Sequence, residues 1–388
     1  MPQARLALVV GATVGGATVL WAAWAYSRRC RRCRADAKIL VAACDLDKTV
    51  YPPAGPDQAH QLSANVMAMA EFESLGGFVF PVTGNNIPQA QVKFTDIGGR
   101  LLRDLRSKPG IYCNGSLVMG PGGVELERHS PGQLRMAASD SDADFITALL
   151  DFWDAEAELL AGIGLLFFMP DELVALQSGA HDGLSNVHGF CKSQRVTPTV
   201  WARARLLAEK ERVLQVVLLF PPLAKPGDLA CYETTCRPWQ RRVQEAMQAQ
   251  GLMNCRVPSR PAQSDGLGDG LKLTLMKDPW PEMDICVGGV DKGSALARFL
   301  DHPLVRYHLG TDRIDPAVHV AVFGDAANDV PMFRAIGGVK PAVRVGMPHA
   351  THAELVALST HRAEVSQMLQ HFCNARRRES NSRSGVAS

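Results

Sequence analysis

Short apolar runs, each closing on polar side chains, recur along this chain and alternate with stretches of helical period. Residues 39–44, Ile-Leu-Val-Ala-Ala-Cys, read as a buried strand that delivers Asp45 and Asp47, with Thr49 beyond them. Leu62, Val66, Met69 and Phe72 keep helical spacing through 58–75, and Gly76-Gly77 stops that helix. A second apolar run, Gly77 to Val82, closes on Thr83-Gly84-Asn85-Asn86. Pro88 suits a helix start, and Ala90 to Arg106 can carry the helix on. Ile111-Tyr112-Cys113 makes a third strand, ending at Asn114-Gly115. This alternation predicts a parallel, Rossmann-like sheet with helices packed on its faces.

From about residue 119 the texture changes. Pro121-Gly122-Gly123 makes a turn, followed by an acidic helical stretch near 142–160, apolar runs at 163–169 and 213–220, and a helix near 237–250. Short strands follow near 252–257 and 271–275. Residues 176–200 and 258–270, rich in Gly, Ser and Pro, read as loops. This block, 119–286, is expected to be a separate α/β lobe inserted into the first. Alternation then resumes. Asp284 to Val290 leads to Asp291-Lys292-Gly293-Ser294 and a helix over 295–300, His319 to Phe323 closes on Gly324-Asp325-Ala326-Ala327-Asn328-Asp329, and Ala342 to Val345 is a last strand. The expected division is therefore 36–118 and 287–375 for the main lobe, with 376–388 an Arg/Ser-rich disordered tail.

The chemistry concentrates where these runs end. In a strand, residues two apart point to one side, so Asp45 and Asp47 would emerge together at the edge of the sheet where ligands bind. Two carboxylates so close need a cation or a shared proton. Asp325 and Asp329 add oxygen ligands of the kind Mg²⁺ prefers, and Mg²⁺ binds substrate phosphate directly. Lys292 adds a positive charge for phosphate, while the Thr83 hydroxyl and the backbone at Thr83-Gly84 could cradle its oxygens. Taken singly these signals are weak, since Asp pairs also cap turns and Thr-Gly is an ordinary turn. Their order, each after an apolar run, makes the combination specific.

The set D-x-D-x-T at Asp45–Thr49, Thr83, Lys292 and G-D-x-x-x-D at Gly324–Asp329 resembles the haloacid dehalogenase (HAD) phosphatase superfamily. Asn114-Gly115, Lys292-Gly293-x-Ala295-Leu296, Asn328-Asp329-x-x-Met332-Phe333 and Val345-Gly346-Met347-Pro348-His349-Ala350 look like its Cof-type branch with an α/β cap of class IIB (C2). The resemblance covers roughly 37–375 and implies a HAD core with the cap between its second and third motifs. It implies a Mg²⁺-dependent phosphatase acting on a small phosphorylated metabolite, such as a sugar phosphate. Asp45 would be the nucleophile that forms an aspartyl-phosphate, and Asp47 the acid/base. Metal would be held by Asp45, the Asp47 backbone, Asp325 and Asp329, and phosphate by Thr83, Gly84, Lys292 and Asn328. Thr49, Asn85 and Asn114 would be minor substrate contacts. Lys48 stands where Gly is commoner, and Asn85 where many relatives carry Arg. A phosphomutase or phosphotransferase, or a non-catalytic membrane-tethered scaffold, are the alternatives on the same fold.

Length and charge narrow the partners. The 388 residues suffice for two domains, and a net charge of +2 with no basic stripe in the globular part points away from nucleic acid. Residues 6–26 carry no charge, end in Trp21, Trp24 and Tyr26, and precede five arginines between Arg28 and Arg34. That pattern predicts a single-pass N-terminal transmembrane helix, part of an anchor and basic linker over 1–35, with the catalytic part facing the cytosol. The mitochondrial outer membrane and the endoplasmic reticulum both suit it. A cleaved signal peptide fits less well, because the positive charge follows the apolar stretch. Gly11 and Gly15 could pair two such helices into a homodimer, although the many small residues nearby make coincidence the plainer account. The ten cysteines form no framework and suit a reducing compartment; Cys30 and Cys33 are candidates for palmitoylation. His181, Asp182 and His188 read as solvated loop residues rather than ligands, while Trp201, Arg203, Arg205, Lys225 and Arg237 suit a sugar or phosphate contact and an amphipathic helix face equally well.

Overall fold

The computed structural model describes residues 39–93, 104–136, 143–177, 183–225, 228–256, 271–276, 280–336, 342–344, 357–359 and 361–384. Its central sheet runs in the order His361–Arg362, Ala342–Arg344, Val320–Gly324, Val41–Cys44, Phe78–Pro81, with all neighbours parallel. Val41–Cys44 is buried on both faces, which is why it reads as an unbroken apolar run. Val41 and Ala43 face Leu296, Phe299, Met332 and Phe333, whereas Ala42 and Cys44 face Leu62, Met69, Phe72 and Phe372. Helix Gln58–Ser74 thus covers one side of the sheet and helix Lys292–Asp301 the other.

The third strand, Gly110–Tyr112, meets the central sheet only through a parallel bridge from Ile111 to Val82. Its main partners are antiparallel, Leu117–Met119 and then Glu125–Arg128, and Arg298 of the core helix donates to Glu127 at 2.7 Å. The core therefore continues past the expected boundary at residue 118.

The inserted lobe is built on a six-stranded sheet in the order Leu271–Met276, Glu282–Val287, Gln215–Leu219, Gly164–Phe168, Leu173–Leu176, Thr199–Trp201. All pairs are antiparallel except the last. Helices Phe145–Ala155 and Arg237–Ala249 cover the face bearing Leu165, Phe167, Val216, Leu218 and Ile285. Three expectations change here. Glu282–Val287, read as the return to the main sheet, is an interior strand of the lobe; an apolar run cannot tell which sheet will bury it. Residues 176–200, read as loop, contain helix Leu184–Ser193 and strand Thr199–Trp201. Val187, Phe190 and Cys191 supply that helix with a short apolar face despite its polar composition. The helix begun at Pro88 stops at Val92 instead of reaching Arg106.

The tail expected to be disordered is helical as far as the described residues go: Val365–Ser384 packs along Gln58–Ser74. Phe372 meets Phe72 with ring centroids 6.4 Å apart, and the Arg376 guanidinium lies 4.9 Å from the Phe72 ring while donating to the Leu75 carbonyl at 2.6 Å. Arginines that look solvating in sequence here serve as a clasp for the core.

The apolar segment 6–26, Cys30, Cys33, His181, Asp182, residues 258–270 and the stretch 345–350 lie outside the described residues. Among the described residues no helix is long and apolar enough to cross a membrane. The eight described cysteines are all free thiols. Arg203 pairs with Asp151 and Asp154, Arg205 lies 4.0 Å from the centroid of the buried Trp201 ring, and Arg237 pairs with Glu233 one turn earlier. His188 sits on the exposed face of its helix. The three arginines thus have partners within the lobe.

Candidate active site

The strand carrying the first motif ends at Cys44, so Asp45 and Asp47 lie in the turn beyond it rather than in one strand phase. The turn sends them to different environments. Asp45 is buried, and its Oδ1 accepts from Lys292 Nζ at 2.6 Å. Asp47 is half exposed; its Oδ2 accepts from Asn85 Nδ2 at 2.6 Å, and its Oδ1 pairs with Lys93 Nζ. Lys48, directly after Asp47, has φ +58°, a left-handed conformation that glycine adopts without cost.

Lys292 opens its helix directly after Asp291, whose side chain caps Ser294 N at 2.7 Å. Gly293 is needed for close approach: a Cβ there would lie 2.1 Å from the Pro331 carbonyl oxygen. That contact brings the Lys292 ammonium, itself fully buried, to 2.7 Å from Asp329 Oδ1 as well as to Asp45. The other Asp329 oxygen accepts from the backbone N–H groups of Asp325 and Ala326, both at 3.0 Å. Gly324 is required in the same way, since a Cβ would sit 2.6 Å from the Asp329 carboxylate. Asp329 therefore fixes the turn that presents Asp325, and Thr49 Oγ1 holds Asp325 Oδ1 at 3.0 Å.

Asp45, Asp325 and Asp329 bring carboxylate oxygens within 4.8 Å of one another. Burial, then the neighbouring Asp329 charge, raises Asp45 well above the ordinary carboxylate range despite Lys292. The same two causes push Asp325 up to about 6. Burial opposes the charge on Lys292 too, but Asp329 and Asp45 outweigh it and keep the ammonium protonated. Three acids sharing one lysine leave a surplus of negative charge. A hard divalent cation would relieve it, and the donors are the carboxylate oxygens that Mg²⁺ takes. The Asp47 side chain stands outside this cluster. Burial works against its charge, but the Lys93 ammonium and hydrogen bonds from Lys93 and Asn85 hold it below the usual value.

Thr83 sits beside this centre. Its N–H donates to Ile111 O at 2.8 Å, so the backbone donor expected to cradle phosphate belongs to the sheet. Its Oγ1 accepts from Asn85 N at 3.2 Å and Asn85 Nδ2 at 3.0 Å, which leaves the hydroxyl hydrogen to donate to an anion. The turn at Cys113, Asn114 and Gly115 has φ values of +49°, +54° and +105°, and it is locked by Asn114 N donating to Thr83 O at 3.0 Å. Left-handed backbone at two non-glycine residues is the strain often held at functional sites. Asn328, exposed, donates to Asn114 Oδ1 at 3.4 Å, and a Cβ at Gly84 would meet the Asn114 amide at 3.2 Å.

The structure thus gathers the residues of the four motifs at one end of the parallel sheet. Within that group Thr49 donates to Asp325 and Asn85 to Asp47. Lys93 was not singled out from sequence: it belongs to no motif, and a lysine at the end of a short helix reads as solvent-facing. Its burial beside Asp47 emerges only from the fold.

No family model matches the chain, and no curated protein matches it by sequence. Solved structures do match it in three dimensions. A Plasmodium vivax protein described as HAD/COF-like superposes with a TM-score of 0.56 at 14% identity, over 88% of this chain and 98% of that one. BT1666 from Bacteroides thetaiotaomicron, named among phosphatases of the haloalkanoate (HAD) enzyme superfamily, gives 0.52 at 13% identity over 87% and 96%. BT4131, named as a HAD subclass IIB sugar phosphatase, gives 0.51 at 14% identity over 86% and 98%. This chain therefore shares the fold of structures described as HAD/COF-like and as HAD subclass IIB, a parallel core sheet with an inserted α/β lobe.

Proposed function

We propose that this protein is a Mg²⁺-dependent phosphomonoester hydrolase that works through an aspartyl-phosphate on Asp45. The observation that carries the reading is the separation of two nearby acids. Asp45 is buried against Lys292 within the carboxylate cluster, whereas Asp47 stands half exposed with its own partners. Double displacement at phosphorus needs that division, one oxygen nucleophile and one group that trades a proton. An Asp45 oxygen attacks phosphorus, the bond to the leaving oxygen breaks, and that oxygen takes a proton from Asp47, whose protonation the negative charge of bound phosphate favours against the pull of Lys93. Asp47, now a carboxylate, removes a proton from water, whose oxygen attacks the phosphorus of the aspartyl-phosphate. The bond to Asp45 breaks, inorganic phosphate leaves, and Asp47 is again protonated.

Lys292 and the Thr83 hydroxyl supply fixed positive charge and a donor for the transferring group, so little reorganisation is required as charge shifts. Mg²⁺ held by Asp45 and Asp325, with Asp329 beside them, would neutralise phosphate charge. The substrate we infer is a small phosphorylated metabolite of the sugar phosphate kind, supported by the cap lobe and by the name of BT4131. Purified residues 35–388 offered a panel of phosphomonoesters should release inorganic phosphate with Mg²⁺ and lose that release on chelation. No release from any ester would remove the proposal.

The same proposal places residues 6–26 in a membrane with the catalytic part in the cytosol. It rests on sequence: an uncharged stretch of spanning length, aromatic residues at its end and arginines after it. Deleting residues 1–34 should move the protein from the membrane to the supernatant on fractionation, and unchanged pelleting would refute the anchor.

A further inference from the structure

Lys93 is a charged side chain almost wholly withdrawn from water, with 8% of its side chain exposed, although nothing in the four motifs calls for it. Burying an ammonium is costly unless a partner of opposite charge compensates. The compensating partner is the Asp47 carboxylate, whose Oδ1 Lys93 contacts while Asn85 Nδ2 holds Oδ2 at 2.6 Å. Both carboxylate oxygens are thus engaged from one side, by groups that follow Thr83 in the chain.

These two groups are themselves firmly placed. Asn85 is buried, and its amide also donates to Thr83 Oγ1 at 3.0 Å. Lys93 ends the short helix Ile87–Val92, whose first turn is closed by a reciprocal pair: Gln89 N donates to Asn86 Oδ1 at 3.1 Å and Asn86 N to Gln89 Oε1 at 3.2 Å. The Asn86 side chain then reaches the cap, donating to the carbonyls of Met169 and Glu172, both at 3.0 Å. The helix that carries Lys93 is therefore bolted to the cap at one end and to Asp47 at the other. By contrast Asp47, half exposed in a turn, has little packing of its own to choose a rotamer.

We propose that Lys93 is a positioning residue: together with Asn85 it clamps the Asp47 carboxyl group in the one orientation from which it serves the leaving oxygen and then water. The inference rests on the acid/base role given to Asp47 above. Its consequence depends on the leaving group. An alkyl phosphate needs the Asp47 proton to expel its alcohol, whereas 4-nitrophenyl phosphate expels a stable phenolate without one. Both need Asp47 in the second step, when water is activated.

The test compares Lys93→Met with the wild type on a good alkyl substrate from the panel and on 4-nitrophenyl phosphate, both with Mg²⁺. For the alkyl ester kcat/KM should fall by about 100-fold, within the range that positioned acid/base groups contribute. For the aryl ester kcat/KM, which reports only the first transfer, should fall less than about 3-fold. The aryl reaction should instead show a burst of nitrophenolate equal to the enzyme, because the aspartyl-phosphate now waits for water. Lys93→Arg, which keeps charge and donors, should return the alkyl-to-aryl ratio toward the wild-type value. Should Lys93→Met not fold, Lys93→Gln, neutral and polar, carries the same comparison. Equal losses on both esters, or none on either, would overturn the clamp while leaving the hydrolase reading intact. A wild type that turns over neither ester, or an Asp45→Asn variant that stays active, would instead defeat the hydrolase reading and the clamp with it.

Discussion

Asp45→Asn is expected to lower phosphate release by more than about a thousandfold while leaving a folded protein. Losses of that order accompany removal of a nucleophile that no neighbour can replace. Asn is nearly the same size, so the packing of the turn beyond Val41–Cys44 survives. The substitution also removes one of three crowded acids, and Lys292 keeps Asp329 at 2.7 Å as its partner. Stability should therefore hold or rise slightly, most clearly above neutral pH, where the buried Asp45 of the wild type must ionise against its raised pKa. Steady-state phosphate release and denaturant unfolding on the same preparation check both halves. Activity lost together with the unfolding midpoint would mean a structural role; activity retained would remove Asp45 as nucleophile.

Lys292→Met is expected to cost both activity and fold. The ammonium is fully buried and is the shared counter-charge of Asp45 and Asp329. Removing one member of such a set costs about 3–5 kcal/mol, because the remaining charges stay buried without compensation. The loss should depend on pH with a definite sign. Without Lys292 the buried Asp45, already raised above the ordinary carboxylate range, binds its proton still more tightly in the folded chain than in the unfolded one. Stability then falls as pH rises above the ordinary carboxylate range, so the variant should lie nearer the wild type at pH 5 than at pH 8. Mg²⁺ should restore part of the difference at pH 8, since it supplies charge to the same cluster. Urea unfolding at both pH values, with and without Mg²⁺, measures this; a pH-independent loss would show that packing of the lysine stem, and not its charge, is what matters.

Much of the site was legible before folding, for a physical reason. Asp45, Thr83, Lys292 and Asp325 each stand where an apolar run stops or a helix starts, and parallel strands must end on a common edge. Gly293 and Gly324 belong to the same legible set, because carbonyl and carboxylate atoms lie within 2.6 Å of where their Cβ atoms would be. What could not be read depended on partners distant in sequence. Whether Glu282–Val287 joined the core sheet or the cap sheet was not encoded in its own alternation; its pairing with Gln215–Leu219 and Leu271–Met276 decided it. The arginines after residue 375 looked like a solvated tail until Phe72 and the Leu75 carbonyl gave Arg376 a seat.

The opening pair of acids divides along the same line. By itself the sequence determined that Asp45 and Asp47 lie together at a strand end, ahead of Thr83, Lys292 and Asp325, because motif order and apolar periodicity are local properties. Only the tertiary structure decided that the two acids have different partners. Asp45 is drawn under Lys292 and crowded by Asp325 and Asp329, while Asp47 turns outward to Asn85 and Lys93. Burial and the charges that compensate it come from packing distant segments together, and no local stretch of sequence carries them.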